Sequence, residues 1–257
     1  MNTTTVSHRL ESIAIFVCDR LREMASQRQD ANLDPEYRWQ HILRVSQYGR
    51  MIAKAELADV ELVIAACLLH DVARFDQDKW KEHGRLGARI VRPLLAELGY
   101  SPEEMENICY SVAAHVDGRA GFPHPETLES KIVRDADSID RFGAYRIIQW
   151  CTADVENYEG LIAKIRPRLQ TLEDYRRRRV METESGHHLF IGHLDLLIAF
   201  LKALVEESEL TSLGAACTAS FIILGEMTVE NTAFCKHVAE EYDSPSSPAA
   251  PQKKSRT

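Results

Sequence analysis

The sequence predicts an all-α fold. Three observations carry that reading. Apolar residues recur at steps of three and four along most of the chain, the spacing of one face of a helix. Helix start and stop residues punctuate those stretches, and no alternating strand pattern runs longer than a few residues. Leu, Ala, Ile, Glu and Arg are frequent, and aromatics make up only 7% against 45% apolar residues overall, a mixture that favours helices. At 257 residues one core with an appendage is expected.

The elements follow in order. Leu10, Ile13, Val17, Leu21 and Met24 mark an amphipathic first helix, with residues 1–34 packing on the core. Asp34 as N-cap and Pro35 at the first helical position open a second, whose core stripe is Ile42, Val45 and Ile52. A third spans about Asp59 to His70, and a fourth runs from Gly84 to Leu98 and stops at Gly99. Ser101 and Glu104 stand three apart as a capping box opening a fifth, with Met105, Ile108, Val112 and His115 on one face. Residues 118–130, "GRAGFPHPETLES", read as a loop, and the next helix is expected near Lys131. Helices are expected at about 160–182, 188–208 and 228–242, a C-terminal extension over 151–242. The Pro/Ser-rich residues 243–257 should be disordered. "DYRRRRV" at 174–180 reads as a solvated helix face.

The net charge of −8 repels polyphosphate backbones at long range, so a nucleic-acid polymer is not the expected partner; a small anion in a locally basic pocket remains compatible. The six cysteines include no pair closer than Cys217 and Cys235, and most sit in apolar helical runs, so they read as buried thiols in a reducing compartment. "IAIFVC" is too short for a signal peptide, and no uninterrupted apolar run approaches the roughly 18 residues of a membrane helix. A cytoplasmic protein with no membrane partner is expected.

"ELVIAACLLHDVARFDQ" at 61–77 ends an apolar helix with two groups that bind protons and metals, His70 and Asp71. His41 lies on the second helix with Arg44 one turn on, His83 opens the fourth, His115 closes the fifth, and Asp137 sits in "IVRDADSID". Each alone reads as a capping, core or surface residue. Together, imidazole and carboxylate are a ligand set for Mn, Fe, Co, Zn and, with more oxygens, Mg. Adjacent His and Asp diverge by about 100° on a helix, yet both reach a cation placed beyond the helix end. A cation there would satisfy polar groups that an apolar helix end otherwise tolerates poorly.

His41, then His-Asp at 70–71, then Asp137, set in "HILRV", "AACLLHDVAR" and "KIVRDADSIDRFGA", resembles the HD-domain superfamily of metal-dependent phosphohydrolases over about residues 35–150. The resemblance implies an HD-domain helical bundle with additional C-terminal helices. It also implies that His41, His70, Asp71 and Asp137 hold one divalent metal. Asp137 rather than Asp135 fits the family's pattern, and Asp140 stands behind it or pairs with Arg141. His83 and His115 resemble the two extra histidines of two-metal members, and would otherwise face the substrate. Arg44, Arg74 and Lys79 are candidate phosphate contacts, Arg44 first among them by helical phase. His187, His188 and His193 fall outside the resemblance and are given no chemistry.

The expectation is therefore a phosphohydrolase acting on a small phosphorylated molecule, a nucleotide above others, with one or two ions of Mn, Fe, Co, Mg or Zn. Two alternatives stay open: a di-iron oxygenase with the same six ligands, and a non-catalytic metal-stabilised binding module. A homodimer through the C-terminal helices is compatible with all three.

Overall fold

A computed structural model describes residues 3–28, 33–76, 82–116, 126–152 and 158–224. Every regular element among them is helical. We number the helices α1 (Thr3–Arg28), α2 (Pro35–Glu56), α3 (Val60–Leu69), α4 (His83–Glu97), α5 (Pro102–Ala114), α6 (Leu128–Asp140), α7 (Ala144–Thr152), α8 (Tyr158–Arg177) and α9 (Glu184–Leu224). Residues 1–203 form one compact unit; a second, 204–257, begins within α9.

Local signals set the helix starts. The Asp34 carboxylate accepts from the Tyr37 amide at 2.9 Å with Pro35 at the first position, and Asp59 accepts from the amides of Glu61 and Leu62. Ser101 and Glu104 exchange side chain and backbone bonds as a full capping box. Gly99 ends α4 at φ 74, a left-handed conformation that costs glycine nothing. α6 starts at Leu128, earlier than expected, because the Thr127 hydroxyl accepts from the Ser130 amide and caps a helix inside what composition marked as loop.

α3 is the hub. Its residues Leu62, Val63, Ala65, Ala66, Cys67, Leu68 and Leu69 are all buried, and α1, α2, α5 and α6 pack around it. Such a helix is apolar on every side, as a central helix must be. It does not stop cleanly at His70. The chain tightens into successive i→i+3 turns, Val72 to Leu69, Arg74 to Asp71 and Asp76 to Ala73. α1 pins these turns from outside: Arg20 donates to Asp76 at 2.5 Å and Arg28 to the Phe75 carbonyl at 2.7 Å. α4 lies against α5 at close range, because a Cβ at Gly84 would stand 2.8 Å from the Ala113 carbonyl oxygen. Only glycine lets the start of α4 approach the end of α5 this closely.

The C-terminal elements differ in extent from expectation. α9 begins at Glu184, capped by Thr183, whose hydroxyl accepts from the Gly186 amide. Arg176, Arg177, Arg178 and Arg179 are exposed, and Arg176, Arg177 and Arg179 pair with Asp195, Asp174 and Glu184, a solvated surface. The expected helix at 228–242 and the tail 243–257 lie outside the described residues. Residues Glu184–Glu209 of α9 are long and apolar enough, by length and composition, to cross a membrane, which corrects the expectation that no segment is. His187, His188, His193 and Asp195 interrupt every apolar run, so a count of unbroken runs misses a segment whose average is apolar. Within the first unit Phe190, Leu194, Leu197, Ile198 and Leu201 are buried, while Leu196 and Phe200 are exposed.

Asp135, fully buried, ties α6 to the turn before α9. Its carboxylate accepts from the Glu182 amide at 2.9 Å, the Thr183 amide at 2.8 Å and the Thr183 hydroxyl at 2.7 Å. Removing the acceptor strands buried donors, each worth about 1–3 kcal/mol. Asp135→Ala should lower the unfolding free energy by about 2–4 kcal/mol, read as a fall in the urea midpoint with unchanged m-value.

Candidate metal centre

Five helices deliver polar side chains to one buried place. α2 presents Arg38 and His41 one turn apart, the end of α3 presents His70 and Asp71, α4 opens with His83, α5 closes on His115, and α6 carries Asp137 and Asp140. Three of the histidines are aimed by the same device. His70 Nδ1 donates to the Cys67 carbonyl at 2.7 Å, and His115 Nδ1 donates to the Val112 carbonyl at 2.7 Å, each closing the end of its own helix. His41 Nδ1 donates to Asp140 Oδ2 at 2.8 Å. With Nδ1 spent, each ring turns Nε2 inward, the arrangement that prepares imidazole for a cation.

Asp71 divides the cluster. Its Oδ2 lies 3.6 Å from His41 Nε2 and 3.5 Å from His70 Nε2; Asp137 Oδ1 lies 3.4 Å and 3.9 Å from the same nitrogens, which are 3.3 Å apart. Its Oδ1 faces the other way, 2.9 Å from His83 Nε2 and 3.8 Å from His115 Nε2, themselves 3.0 Å apart. Ligand atoms about 2.1 Å from a shared cation stand about 3.0–3.5 Å from one another at right to tetrahedral angles. Both groups, His41–His70–Asp71 with Asp137 beside it and Asp71–His83–His115, therefore fit a cation, with Asp71 common to the two. Nitrogen and carboxylate donors together suit Mn, Fe, Co or Zn.

The electrostatics agree. Burial by itself would raise the carboxyl pKa values of Asp71 and Asp137, but Arg38 and His70 at the first, and Arg141 and His41 at the second, hold both well below the usual range. Burial would lower the His41 pKa, yet Asp137 and Asp140 outweigh it and raise it to about 9. His70 is lowered to about 4, chiefly by complete burial. Two ionised, buried carboxylates call for positive charge at the centre.

The cavity above this floor has a volume of about 250 Å³, with Tyr37, Arg38, Arg74, Arg141 and Arg146 in its walls. Arg38 donates to Asp71 Oδ2 at 2.6 Å, and Arg141 is bonded to Asp137. Arg74 is half-buried, and no hydrogen bond or ion pair among the described residues engages its guanidinium; burial lowers its pKa, and repulsion from Arg38 and Arg141 adds to this against the pull of Asp71 and Asp137. Arg44 does not line this cavity. Its guanidinium grips Asp140 with two bonds, at 2.6 and 3.0 Å, and lies 4.0 Å over the Tyr145 ring, so it stands behind His41 rather than facing a substrate. Asp140 accordingly pairs with Arg44 and His41, not with Arg141, which reaches Asp137 one turn away. Lys79 lies outside the described residues. Sequence reasoning missed Arg38 and Arg146 as cavity walls; Arg38 is one turn before His41 and carried the same signal as Arg44. Asp137 and Asp135, two residues apart, face opposite sides of α6, one to the histidines and one to the α9 turn.

Comparisons with known proteins now bear on this geometry. Residues 38–141 match the HD domain family. A curated relative, the uncharacterized protein YpgQ of Bacillus subtilis, is 29% identical over 116 residues, 42% of this chain; the match spans 53% of that relative's length. Among solved structures, a predicted HD superfamily hydrolase from an uncultured Thermotogales bacterium aligns at a TM-score of 0.56 and 21% identity, over 80% of this chain and 99% of its own. An HD-superfamily hydrolase from Bacillus thuringiensis aligns at 0.57 and 19%, over 79% and 98%. YpgQ crystallised in complex with ADP aligns at 0.54 and 20%, over 79% and 96%. At such identities these structures speak for the fold. The family match spans the segment that carries all six facing side chains, so residues 38–141 resemble an HD domain in sequence as the whole does in fold.

Proposed function

We propose that this chain is a metal-dependent phosphohydrolase that cleaves a phosphate ester or anhydride of a small molecule, a nucleotide above others. One observation carries the reading: a floor of buried imidazoles and carboxylates lies beneath a cavity walled by arginines, and one of these, Arg74, makes no hydrogen bond or ion pair among the described residues. A cation in such a floor lowers the pKa of its water and makes hydroxide available near neutral pH. The side chains supply the rest. His41, His70, Asp71 and Asp137 would hold the cation; the second oxygen of Asp71 faces His83 and His115, which would hold a second ion or, as an imidazolium, present a proton at Nε2 to the leaving group. Arg74 binds the phosphoryl oxygens and offsets the charge that grows there during attack. Arg38 and Arg141 keep Asp71 and Asp137 ionised and oriented. The binding of ADP by the structural neighbour YpgQ, with which it was crystallised, supports a nucleotide as substrate.

Asp71 is the residue common to both groups. Asp71→Ala should therefore lose all bound Mn or Fe on equilibrium dialysis and elemental analysis, whereas His83→Ala should lose only the second of two ions. Equal retention in both variants would refute the shared-carboxylate reading.

Arg74→Ala should reduce kcat/KM for phosphate substrates by about 10²–10³-fold, the scale of removing one charge-stabilising donor, while metal content stays at the wild-type level. The same panel separates the alternatives. A di-iron oxygenase would use the same six ligands but has no need of a cation-rich wall; it would consume oxygen in an iron-dependent manner. A binding module would hold metal and ligand with no turnover under Mn, Co or Mg.

A further inference from the structure

A second cavity, about 320 Å³, adjoins the first through two shared walls, Arg141 and Arg146. Its remaining lining comes largely from residues beyond the 38–141 match, including Phe142, Arg168 and Tyr175. Arg168, on α8, is half-buried; no hydrogen bond or ion pair among the described residues engages it, and its guanidinium lies 5.9 Å over the Phe142 ring. Phe142 is fixed in turn by edge contacts with Tyr175 and Phe190. Burial, and with it repulsion from a second cation, Arg146, lowers the Arg168 pKa against an opposing pull from Tyr175. A half-buried guanidinium held on an aromatic ring beside a like charge is costly unless an anion enters.

Resting on the phosphohydrolase reading, we infer that this second cavity is a subsite for a further phosphate group of the same substrate, held by Arg168 and Arg146, so that the preferred substrates carry at least two phosphates. The geometry gives the two groups separate tasks. The phosphate over the metal floor is attacked, and the other is gripped across the Arg141–Arg146 wall. A planar guanidinium takes phosphate with paired hydrogen bonds, which suits the role better than lysine would. The elements after the HD domain thus select the substrate, while the domain itself supplies the chemistry.

The test is calorimetric binding to the full-length, Mn-loaded protein, with methylphosphonate and methylenediphosphonate as probes that resist hydrolysis. The wild type should bind the diphosphonate more tightly than the monophosphonate. Arg168→Gln should lose about 10–100-fold in affinity for the diphosphonate and leave methylphosphonate unchanged. Arg168→Lys should recover part of the loss, and Arg166→Gln, an exposed position on the same helix, should behave as wild type. Equal affinity for the two probes in the wild type, or an Arg168→Gln effect that is absent or equal for both, overturns the inference. Because binding is read without turnover, a chain that hydrolyses nothing would sink the hydrolase reading while a selective Arg168 effect still upheld the subsite.

Discussion

A buried carboxylate, Asp71, governs this fold. It is ionised although only 4% exposed. A charge in that position must be matched by partners brought from elsewhere in the chain. Arg38 comes from α2, His70 from its own turn, His83 from α4 and His115 from α5. The oddities of the bundle make sense as consequences. α3 ends in tight turns that bring Asp71 over the helix end, and Gly84 lets α4 close on α5 until His83 and His115 meet.

Orientation is fixed locally and position globally. A histidine one residue past a helix end has a free carbonyl three residues back within reach of Nδ1, as His70 and His115 both show. That bond needs only the helix itself. His41 sits mid-helix, where carbonyls are already spent, so its Nδ1 needs a distant acceptor, and Asp140 provides it from 99 residues away. Arg44 then holds Asp140 with two bonds. The less local the anchor, the more side chains are needed to make it.

The same distinction explains what could be read in the sequence. The caps at Asp34 and Ser101 were legible because each depends on a residue three positions away. The four residues His41, His70, Asp71 and Asp137 were found through their resemblance to a known pattern, and the structure brings them together; no single spacing announces them. Arg38 and Arg44 flank His41 by one turn each, so helical phase could not choose between them. The choice is made by Asp140, which draws Arg44 out of the cavity's reach, and by Asp71, which draws Arg38 into it. The start of α6 was hidden for a different reason: Thr127 caps the helix only two residues beyond Pro125, where Gly and Pro content argues for loop.

A net charge of −8 stands in apparent contradiction to the proposed anionic substrate, and screening resolves it. At physiological salt the field of surface carboxylates decays over about 8 Å, so a small phosphate already in the mouth of the cavity responds mainly to Arg74 and its neighbours. A nucleic-acid polymer must lay many phosphates along the outer surface at once, and there it meets the acidic balance. Under the proposed function, both effects would act together to favour a small polyanion over a long one. Charge on the outside and charge in the wall would thus divide the work of selecting the proposed substrate, with no contact to a base or sugar required for this first discrimination.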